Sequence, residues 1–413
     1  MEAIDILAQP TLDTFDEQGY LFCNEDVRQA VRQGILTSGK EHFTNFGVHE
    51  SRFQLNTNLF KALKEKKICR IKHLLKPSCD LEQHLSGIEE LSACFYDFLS
   101  EDIKQDFQIV ETENISQNPY DKIALKLIDY YQDGNILDFG AGFRRFNYSN
   151  VVNYEVAKYV STDVLGVGEK LPFRDSVFDC IFSFSVLEHV KDPFACAEEI
   201  IRCLKPGGML YVVVPHLQPY HGYPHHYYNM THQGLANLFA NLDIKHQEVN
   251  GGNMAIWSIA WILRTWVENL PPDLKEELLK LQVSDLISPT IEFRQQYARL
   301  ILAVPPEVQL EIACATSLVA TKPLQQDLGA QSDRYHPAMH EIINVLRPQY
   351  ITSENIKLYH PEIPDRIDGF DGDSPKATKP PKSKKTKTQK IEHIFRTTLH
   401  YFRLWKETVI DFD

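Results

Sequence analysis

The stretch Asn135–Gly142, NILDFGAG, decides the fold of this 413-residue chain. Its apolar first half is typical of a short buried strand, which closes at Asp138 and Phe139. Gly140 and Gly142 follow, and glycine allows a tight turn whose backbone amides approach a ligand closely. In an open α/β sheet, nucleotide-like cofactors bind at such turns, at the carboxyl ends of the strands. The stretch therefore predicts the first strand and the cofactor turn of such a sheet.

Helical and strand patterns alternate on both sides of this turn. Tyr120–Tyr131 has apolar residues at helical spacing, and Asp133-Gly134 then marks a turn. The predicted strands are Ile136–Phe139, Val151–Val156, Tyr159–Asp163, Cys180–Phe184, Leu210–Val214, Leu242–Val249 and Glu311–Lys322, and a helix is predicted at Pro193–Cys203. Continuous apolar strands separated by helices indicate a mostly parallel sheet that is covered on both faces.

The composition excludes several classes of protein. A net charge of −13 argues against a general nucleic-acid binder, which needs a basic face to neutralise phosphates. The eight cysteines form no Cys-x-x-Cys pair, which favours a reducing compartment without a zinc ribbon. The first residues lack the features of a signal peptide, and the most apolar window, Met254–Leu263, is half the length of a membrane span. We therefore expect a cytoplasmic protein.

The chain divides into five predicted segments. Residues 1–105 are mixed and mainly helical, with helical spacing at Asp26–Ile35 and Leu59–Leu75. The α/β domain occupies residues 110–325, with a helical insertion at about 253–304, and residues 326–370 connect it to the tail. Residues 371–390 form a linker rich in lysine and proline, and residues 391–413 resume helical periodicity as an amphipathic helix. The tail is either a plain linker and helix or an attachment, through 376–410, to an anionic membrane or a protein.

Five short motifs follow one another in a fixed order. They are Asp138-Phe139-Gly140-Ala141-Gly142, Glu155, Glu169-Lys170-Leu171-Pro172-Phe173, Leu187-Glu188-His189-Val190 and Leu204-Lys205-Pro206-Gly207-Gly208. Together they resemble class I S-adenosylmethionine-dependent methyltransferases, and most closely the small-molecule branch with LPF, LEH and LKPGG motifs. The resemblance covers about half of the chain. It implies a Rossmann-like, doubly wound sheet of seven strands whose last strand is antiparallel.

The resemblance also implies the positions that bind S-adenosylmethionine. Gly140 and Gly142 would border the methionine part, and Glu155, at the end of the second strand, would bind the ribose. Asp138 would fix the glycine turn or attract the cationic cofactor. The remaining expected contacts are Glu169 and Leu171 beside adenine, and Ser183 and Ser185 near the sulfonium.

Three positions depart from the usual pattern of this branch, and one of them is His216, which follows Pro215 where relatives often have an aromatic residue. Arg144 stands where a third glycine is common, and Val167 replaces an acid that often precedes the LPF motif. An arginine at this position either binds a carboxylate or an anionic substrate, or repels the sulfonium. The departures bear on cofactor affinity, and a non-catalytic methyltransferase-like binding module is therefore the alternative to an enzyme.

The loop His216–Thr231, HLQPYHGYPHHYYNMT, resembles the substrate-side loop of relatives that act on sugars, lipids or secondary metabolites. We expect methyl transfer to an oxygen of such a small molecule, with His221 as the candidate base. His189 is either a substrate contact or a brace for its own helix. A metal at His221, His225, His226 and His232 is not expected, because no Asp or Glu adjoins them in the sequence.

Two other features allow more than one interpretation. The tryptophan-rich run Met254–Trp266 is either core under the insertion or an apolar lid over a substrate. A nicotinamide-dependent oxidoreductase shares the glycine turn and the acid at strand two. However, the third glycine and a Tyr-x-x-x-Lys pair are missing, and the LPF, LEH and LKPGG motifs have no role in that fold.

Overall fold

The computed structural model describes residues 3–88, 91, 93–110, 116–117, 119–222, 225–247, 249, 253–287, 299–300, 303–305, 308 and 311–312. All of them lie within one compact unit, Met1–Asp333. The second unit, Arg334–Asp413, lies outside the described residues. The predictions for 326–370, for the linker 371–390 and for the helix 391–413 therefore stay predictions.

The described strands and helices are distributed along the whole of this first unit. The strands are β1 (Ile4–Asp5), β2 (Leu7–Ala8), β3 (Gln54–Leu55), β4 (Leu85–Ile88), β5 (Ala93–Asp97), β6 (Ile136–Phe139), β7 (Phe146–Asn147), β8 (Val151–Glu155), β9 (Val164–Leu165), β10 (Phe178–Phe184) and β11 (Leu204–Val213). The helices are α1 (Glu17–Cys23), α2 (Glu25–Arg32), α3 (Gly39–Asn45), α4 (Thr57–Lys72), α5 (Leu81–His84), α6 (Glu101–Asp106), α7 (Lys122–Tyr130), α8 (Pro193–Cys203), α9 (His232–Leu238), α10 (Ala255–Glu268), α11 (Pro272–Leu279) and α12 (Val283–Ile287).

Seven strands form the central sheet, in the order β11-β10-β6-β8-β9-β5-β4. Every neighbouring pair is parallel except β4 and β5 at one edge. The predicted fold class, a doubly wound α/β sheet of seven strands, is therefore confirmed. Strand β6 is the third of the seven, and the chain proceeds from it first to β8 and β9 on one side and then to β10 and β11 on the other. The order reverses beside β6, which is where such sheets bind ligands.

The antiparallel strand lies at a different edge from the one expected. Residues 1–105 supply both β5, which pairs in parallel with β9, and β4, which pairs antiparallel with β5. The sequence analysis instead placed the last two strands at Leu242–Val249 and Glu311–Lys322. Most of the second range lies outside the described residues, which show only helix and turn at residues 311–312.

Two predicted strands are wrong in the described part of the chain. Residues 242–247 form no strand, and residues 243–247 are exposed, because apolar alternation forms a strand only where a neighbour pairs with it. Residues 159–163 form a turn, and the next strand is the two-residue β9. In that turn the side chains of Thr162 and Asp163 accept hydrogen bonds from backbone N–H groups, as polar turn residues commonly do.

Of the two helices that flank the sheet here, α8 begins at the predicted Pro193, and α7 begins at Lys122, two residues after the predicted Tyr120. The Asp121 carboxylate caps α7 by accepting the N–H of Ala124 at 2.8 Å. Asp192 caps α8 in the same way, and Pro193 occupies its first position, where the missing N–H has no helical partner to lose. Helix α8 spans the predicted Pro193–Cys203, and β11 then begins at Leu204 rather than at Leu210.

Apolar side chains cover both faces of the central strands. Every residue of β6 and β8 is buried, as expected for strands between two helical layers. On one face, Leu137 and Phe139 pack with residues of α8 and α4. On the other face, Ile136 packs against Ala124 and Ile128 of α7. The sheet is therefore rigid at the edge where its carboxyl ends carry the polar side chains.

Candidate active site

The glycine turn follows β6 and approaches the loop after β10. Gly140 and Gly142 have φ values of +70° and +62°, in the left-handed region that glycine adopts at little cost. A Cβ atom on Gly140 would lie 2.3 Å from the Val186 side chain, and one on Gly142 would lie 2.6 Å from the Ser116 carbonyl oxygen. Both positions therefore require glycine for conformation and for space.

Glu155, at the end of β8, lies directly against this turn. Its Oε2 accepts the N–H of Gly142 at 2.7 Å, and its Oε1 accepts the N–H groups of Val156 and Ala157 at 2.8 and 3.2 Å. Burial raises the pKa of the Glu155 carboxyl, against the opposing effect of these three hydrogen bonds. The structure thus brings together two predicted site positions from neighbouring strands, and the side chain remains 8% exposed.

Asp138 is bound to two side chains of the protein itself. Its carboxylate lies 2.8 Å from Nε and 3.2 Å from Nη2 of Arg144, and it accepts the hydroxyl of Tyr120 at 2.5 Å. The guanidinium also lies over the Tyr120 ring, 4.2 Å from its centroid. Asp138 and Arg144 are both buried. The Asp138 carboxylate, which outweighs the effect of burial, holds the pKa of Arg144 above its usual range.

This pairing decides between the two orientations considered for Arg144. Its positive charge is directed at Asp138, and the carboxylate neutralises it. The Asp138 carboxylate is in turn paired with the guanidinium of the protein's own Arg144. The predicted contact of Asp138 with the cofactor stays a prediction. The observed hydrogen bonds connect Arg144, which follows the glycine turn, to the end of β6.

The positions expected beside adenine lie in two environments. Glu169 accepts the backbone N–H groups of Lys191 and Asp192 at 3.1 and 3.2 Å, just before α8. The Leu171 side chain is fully buried in the core, and its N–H donates to Glu199 at 2.8 Å. Leu171 therefore supports the segment from within the core, and Glu169 connects it to the start of α8.

Ser183 and Ser185 lie at the carboxyl end of β10. Ser183 pairs in register with Phe139 of β6 and is fully buried, and its Oγ has no hydrogen-bond partner among the described residues. Ser185 has a φ of +54°, an unusual conformation for a residue other than glycine, and its N–H donates to Val213 at 2.9 Å. Such backbone strain concentrates at functional sites.

Glu188 and His189 follow this strained position. Glu188 is fully buried, and among the described residues neither of its carboxyl oxygens has a hydrogen-bond partner. Burial raises the pKa of Glu188 to about 8 and lowers the pKa of His189 to about 4. Their 3.7 Å approach is therefore a contact between two neutral groups near pH 7, not an ion pair.

The loop after β11 brings His221 to the same place. The His189 and His221 rings meet edge to face, with centroids 5.2 Å apart. Burial lowers the pKa of His221, so its ring is neutral near pH 7. Trp261 of α10 lies beside it, with ring centroids 5.2 Å apart. The two predicted catalytic positions are therefore neighbours, and the tryptophan-rich helix adjoins them.

The other loop positions have structural contacts. Thr231 caps α9 by accepting the N–H of Gly234, and His225 Nε2 lies 2.9 Å from the Gln108 carbonyl. His226 contacts the backbone N–H of His221 and the side chain of Asn229. Pro224 lies outside the described residues.

Residues 138–212 match a family model that is described as a methyltransferase domain. This segment holds the glycine turn, Glu155 and Glu188. The chain is similar to the tRNA U34 carboxymethyltransferase of Campylobacter curvus, at 36% identity over 61 residues that cover 15% of this chain and 20% of that protein. It is also similar to cycloartenol-C-24-methyltransferase 1 of Oryza sativa, at 37% identity over 54 residues that cover 12% and 16% of the two chains.

These relatives share only a short segment with the chain, which spans a fifth or less of their length. Among solved structures, the YcgJ protein from Bacillus subtilis has 20% identity and a TM-score of 0.27, over 42% of this chain and 86% of that one. The sequence matches place a methyltransferase domain at the middle of the chain. Within the described residues, no helix is both long and apolar enough to cross a membrane.

Proposed function

We propose that this chain is an S-adenosylmethionine-dependent methyltransferase that acts on a hydroxyl oxygen of a small molecule. The observation that carries the proposal is the contact between Glu155 and the glycine turn, inside the segment that matches a methyltransferase domain. A carboxylate has about four lone-pair sites. Three N–H donors occupy three of them, so one site is left for a ribose hydroxyl beside the turn.

The same edge of the sheet supplies groups for the acceptor. The cofactor, when bound, provides an activated methyl group on a positively charged sulfur. His221 Nδ1 lies 2.9 Å from the Pro219 carbonyl and donates to it, so Nε2 keeps a lone pair that accepts a proton. This nitrogen would take the proton of the acceptor's hydroxyl as that oxygen takes the methyl group. The methyl–sulfur bond would break in the same step, and the cofactor would leave as neutral S-adenosylhomocysteine. Positioning of the two reactants contributes a large part of the rate.

The surroundings of His221 favour an acceptor with an apolar body. Trp261 lies against the His221 ring, and Trp257, one turn earlier on α10, is 58% exposed. Among the expected classes, a lipid-like molecule with a hydroxyl group matches this combination better than a glycan. Trp261→Ala should raise the KM for such an acceptor more than it lowers kcat.

Binding of S-adenosylhomocysteine to the full chain, measured by calorimetry, tests the proposal. We expect saturable binding by the wild type and weaker binding by Glu155→Gln. Loss of a hydrogen bond to a charged group costs about 1.5–3 kcal/mol, or roughly a 10- to 150-fold rise in Kd. Glu101→Gln is the matched control, because its side chain is 88% exposed and distant in sequence from the turn. Absence of binding by folded wild-type protein refutes the proposal.

One observation favours the alternative, a non-catalytic methyltransferase-like binding module. The Ser116 carbonyl accepts the N–H of Phe143 at 2.7 Å, so the segment before α7 lies over the glycine turn. Asp138 is also neutralised by Arg144. In such a module the turn stays closed, and the calorimetric experiment gives no heat with either S-adenosylmethionine or S-adenosylhomocysteine.

Attachment of the tail to an anionic membrane is a separate proposal. It is supported by the lysines of residues 376–390 and by the periodicity of residues 391–413. Cosedimentation with anionic liposomes should be strong for the full chain and weak for a chain ending at residue 370. Equal binding by both chains contradicts it.

A further inference from the structure

Three side chains with metal-binding atoms converge after β10 and β11. One ligand atom each from Glu188, His189 and His221 lies within 4.8 Å of the other two. Glu188 and His189 come from the loop after β10, and His221 comes from the loop after β11. Since β10 and β11 are parallel neighbours, both loops leave the sheet at the same edge. The cluster is therefore built by the sheet topology.

The two imidazoles are held so that one nitrogen of each stays available. His189 Nδ1 lies 2.7 Å from the carbonyl of His225, and His221 Nδ1 lies 2.9 Å from that of Pro219. A carbonyl accepts only, so each Nδ1 carries the proton and each Nε2 carries a lone pair. Metal-binding histidines commonly have this arrangement, in which a carbonyl fixes the tautomer and the ring orientation.

Glu188 provides a second and independent observation. A buried carboxyl group without partners is unfavourable, because it has lost its hydrogen bonds to water. Glu188 is fully buried, and both of its oxygens lack a hydrogen-bond partner within the described part of the chain. Its Oε1 lies 3.7 Å from His189 Nε2, too far for a hydrogen bond. A cation between the two side chains gives the carboxylate the partner it lacks.

The loop that carries His221 is shaped to pass over His189. Gly222 has a φ of +84°, and a Cβ atom there would lie 2.5 Å from Cε1 of the His189 ring. His226 Nδ1 accepts the backbone N–H of His221 at 2.9 Å. The backbone beside His221 therefore lies against the proposed ligand His189 at Gly222, and His226 holds its own N–H.

We propose that Glu188, His189 and His221 bind a divalent transition-metal ion of the zinc type. Two imidazoles and one carboxylate are a ligand set found in catalytic zinc sites, which keep a fourth position open. Metal bonds of about 2.1 Å place tetrahedral ligand atoms about 3.4 Å apart. The three atoms lie within 4.8 Å of one another, so they would need to approach by at most about 1.4 Å to reach this spacing.

This site changes the argument made from the sequence. A metal was not expected because no acidic residue adjoins His221 in the chain. The structure brings Glu188 from another loop to that position. His225, His226 and His232 are not part of the site.

The metal also suggests how the acceptor is activated, and this step rests on the proposed methyltransferase function. An acceptor hydroxyl in the open fourth position would lose its proton more readily, because the cation stabilises the alkoxide. His221 is then a metal ligand rather than the base, and the proton leaves to solvent. The deprotonated acceptor oxygen would then take the methyl group, and the methyl–sulfur bond of the cofactor would break to give S-adenosylhomocysteine.

Titration of the full, chelator-treated chain with Co²⁺ tests the site, because tetrahedral Co²⁺ absorbs visible light strongly. We expect one Co²⁺ per chain, displaced by Zn²⁺. Loss of an outer-sphere partner already weakens metal binding about 10- to 100-fold, so the ligand variants Glu188→Gln and His221→Gln should each lose at least about tenfold. His232→Gln is the matched control, since His232 is an exposed histidine of the same region.

Circular dichroism establishes that each variant is folded. No uptake by folded wild-type protein, or equal uptake by the His221→Gln and His232→Gln chains, overturns the inference. Calorimetry with S-adenosylhomocysteine is a separate measurement. Binding of that ligand without Co²⁺ uptake refutes the metal site alone, and Co²⁺ uptake without ligand binding refutes the proposed function alone.

Discussion

Asp163 lies between two buried lysines, and neutralising it should destabilise the protein strongly. Its carboxylate oxygens lie 2.8 Å from Lys64 Nζ and 2.6 Å from Lys67 Nζ, and it also accepts the N–H of Asn153 at 2.9 Å. The three charged side chains are 0–2% exposed. Burial alone would raise the pKa of Asp163, but the two ammonium groups outweigh it and hold the pKa below its usual range. This cluster joins α4 to the turn before β9.

The informative change is Asp163→Asn, which keeps the shape and removes the charge. Two ammonium groups then remain buried without a counter-charge. Breaking a buried ion pair by removing one partner costs about 3–5 kcal/mol. This is a large part of the roughly 5–15 kcal/mol that stabilises a typical domain. With a slope of about 2 kcal/mol per molar urea, the unfolding midpoint should fall by about 2 M.

Urea unfolding followed by circular dichroism measures this change. Glu101→Gln is the control, because it removes a carboxylate from a surface pair with Lys104 in which the side chains are 88% and 36% exposed. Surface pairs contribute about 0–1 kcal/mol, so the control midpoint should hardly move. The chain that carries Lys64→Met and Lys67→Met together with Asp163→Asn should recover most of the loss, since apolar groups then replace the charges.

The pH dependence of the unfolding free energy of Asp163→Asn tests the same cluster independently. Burial lowers the pKa of Lys64, and in Asp163→Asn the counter-charge that opposes this effect is gone. The unfolded variant then binds more protons than the folded variant, so its stability rises with pH towards 10. A loss below about 1 kcal/mol for Asp163→Asn, without this pH dependence, would falsify the claim that the cluster is buried and ionic.

Three further predictions concern the central sheet, two at its carboxyl edge and one at the start of β10 and β11. Gly140→Ala should abolish S-adenosylhomocysteine binding in calorimetry, because its Cβ would lie 2.3 Å from Val186 and its φ is +70°; unchanged affinity contradicts the turn geometry. Glu155→Gln should lower the thermal midpoint less than Glu155→Ala, because glutamine keeps one of the two oxygens that accept backbone N–H groups; equal losses contradict this role. Partial burial raises the pKa of Asp179, but the effect of Lys205 is larger, so the pKa lies below its usual value. The ion pair therefore stabilises the folded protein above about pH 4, and this stabilisation is lost as the pH falls further. Acid unfolding of Asp179→Asn should be less steep than that of the wild type, and equal steepness contradicts the pair.

The central elements could be predicted because their signals are local. Strand β6 and helix α8 have apolar runs that are bounded by turn and capping residues. The structure has the same bounds as the predictions, Ile136–Phe139 and Pro193–Cys203. The strands β4 and β5 were not predicted. Strand β4 pairs with β5, and β5 enters the sheet by pairing with β9, which lies far along the chain. A short segment such as Ala93–Asp97 shows no period that reveals so distant a partner.

The site was predictable to a similar extent. The glycine turn and Glu155 follow from strand order, because the carboxyl ends of neighbouring parallel strands meet at one edge. The partners of the charged groups do not follow from it. Arg144 reaches Asp138 only because the turn folds back, and Glu188 meets His221 only because two loops leave the sheet together.

The sequence by itself therefore determined the fold class, the position of the glycine turn and the similarity of residues 138–212 to a methyltransferase domain. Those properties depend on local periodicity, on backbone conformation and on motifs of fixed spacing. The tertiary structure decided which charges are paired, which strands complete the sheet and which histidines share a carboxylate. The physical reason is that burial and distance set the interactions of a polar group, and both depend on residues that are remote in the chain.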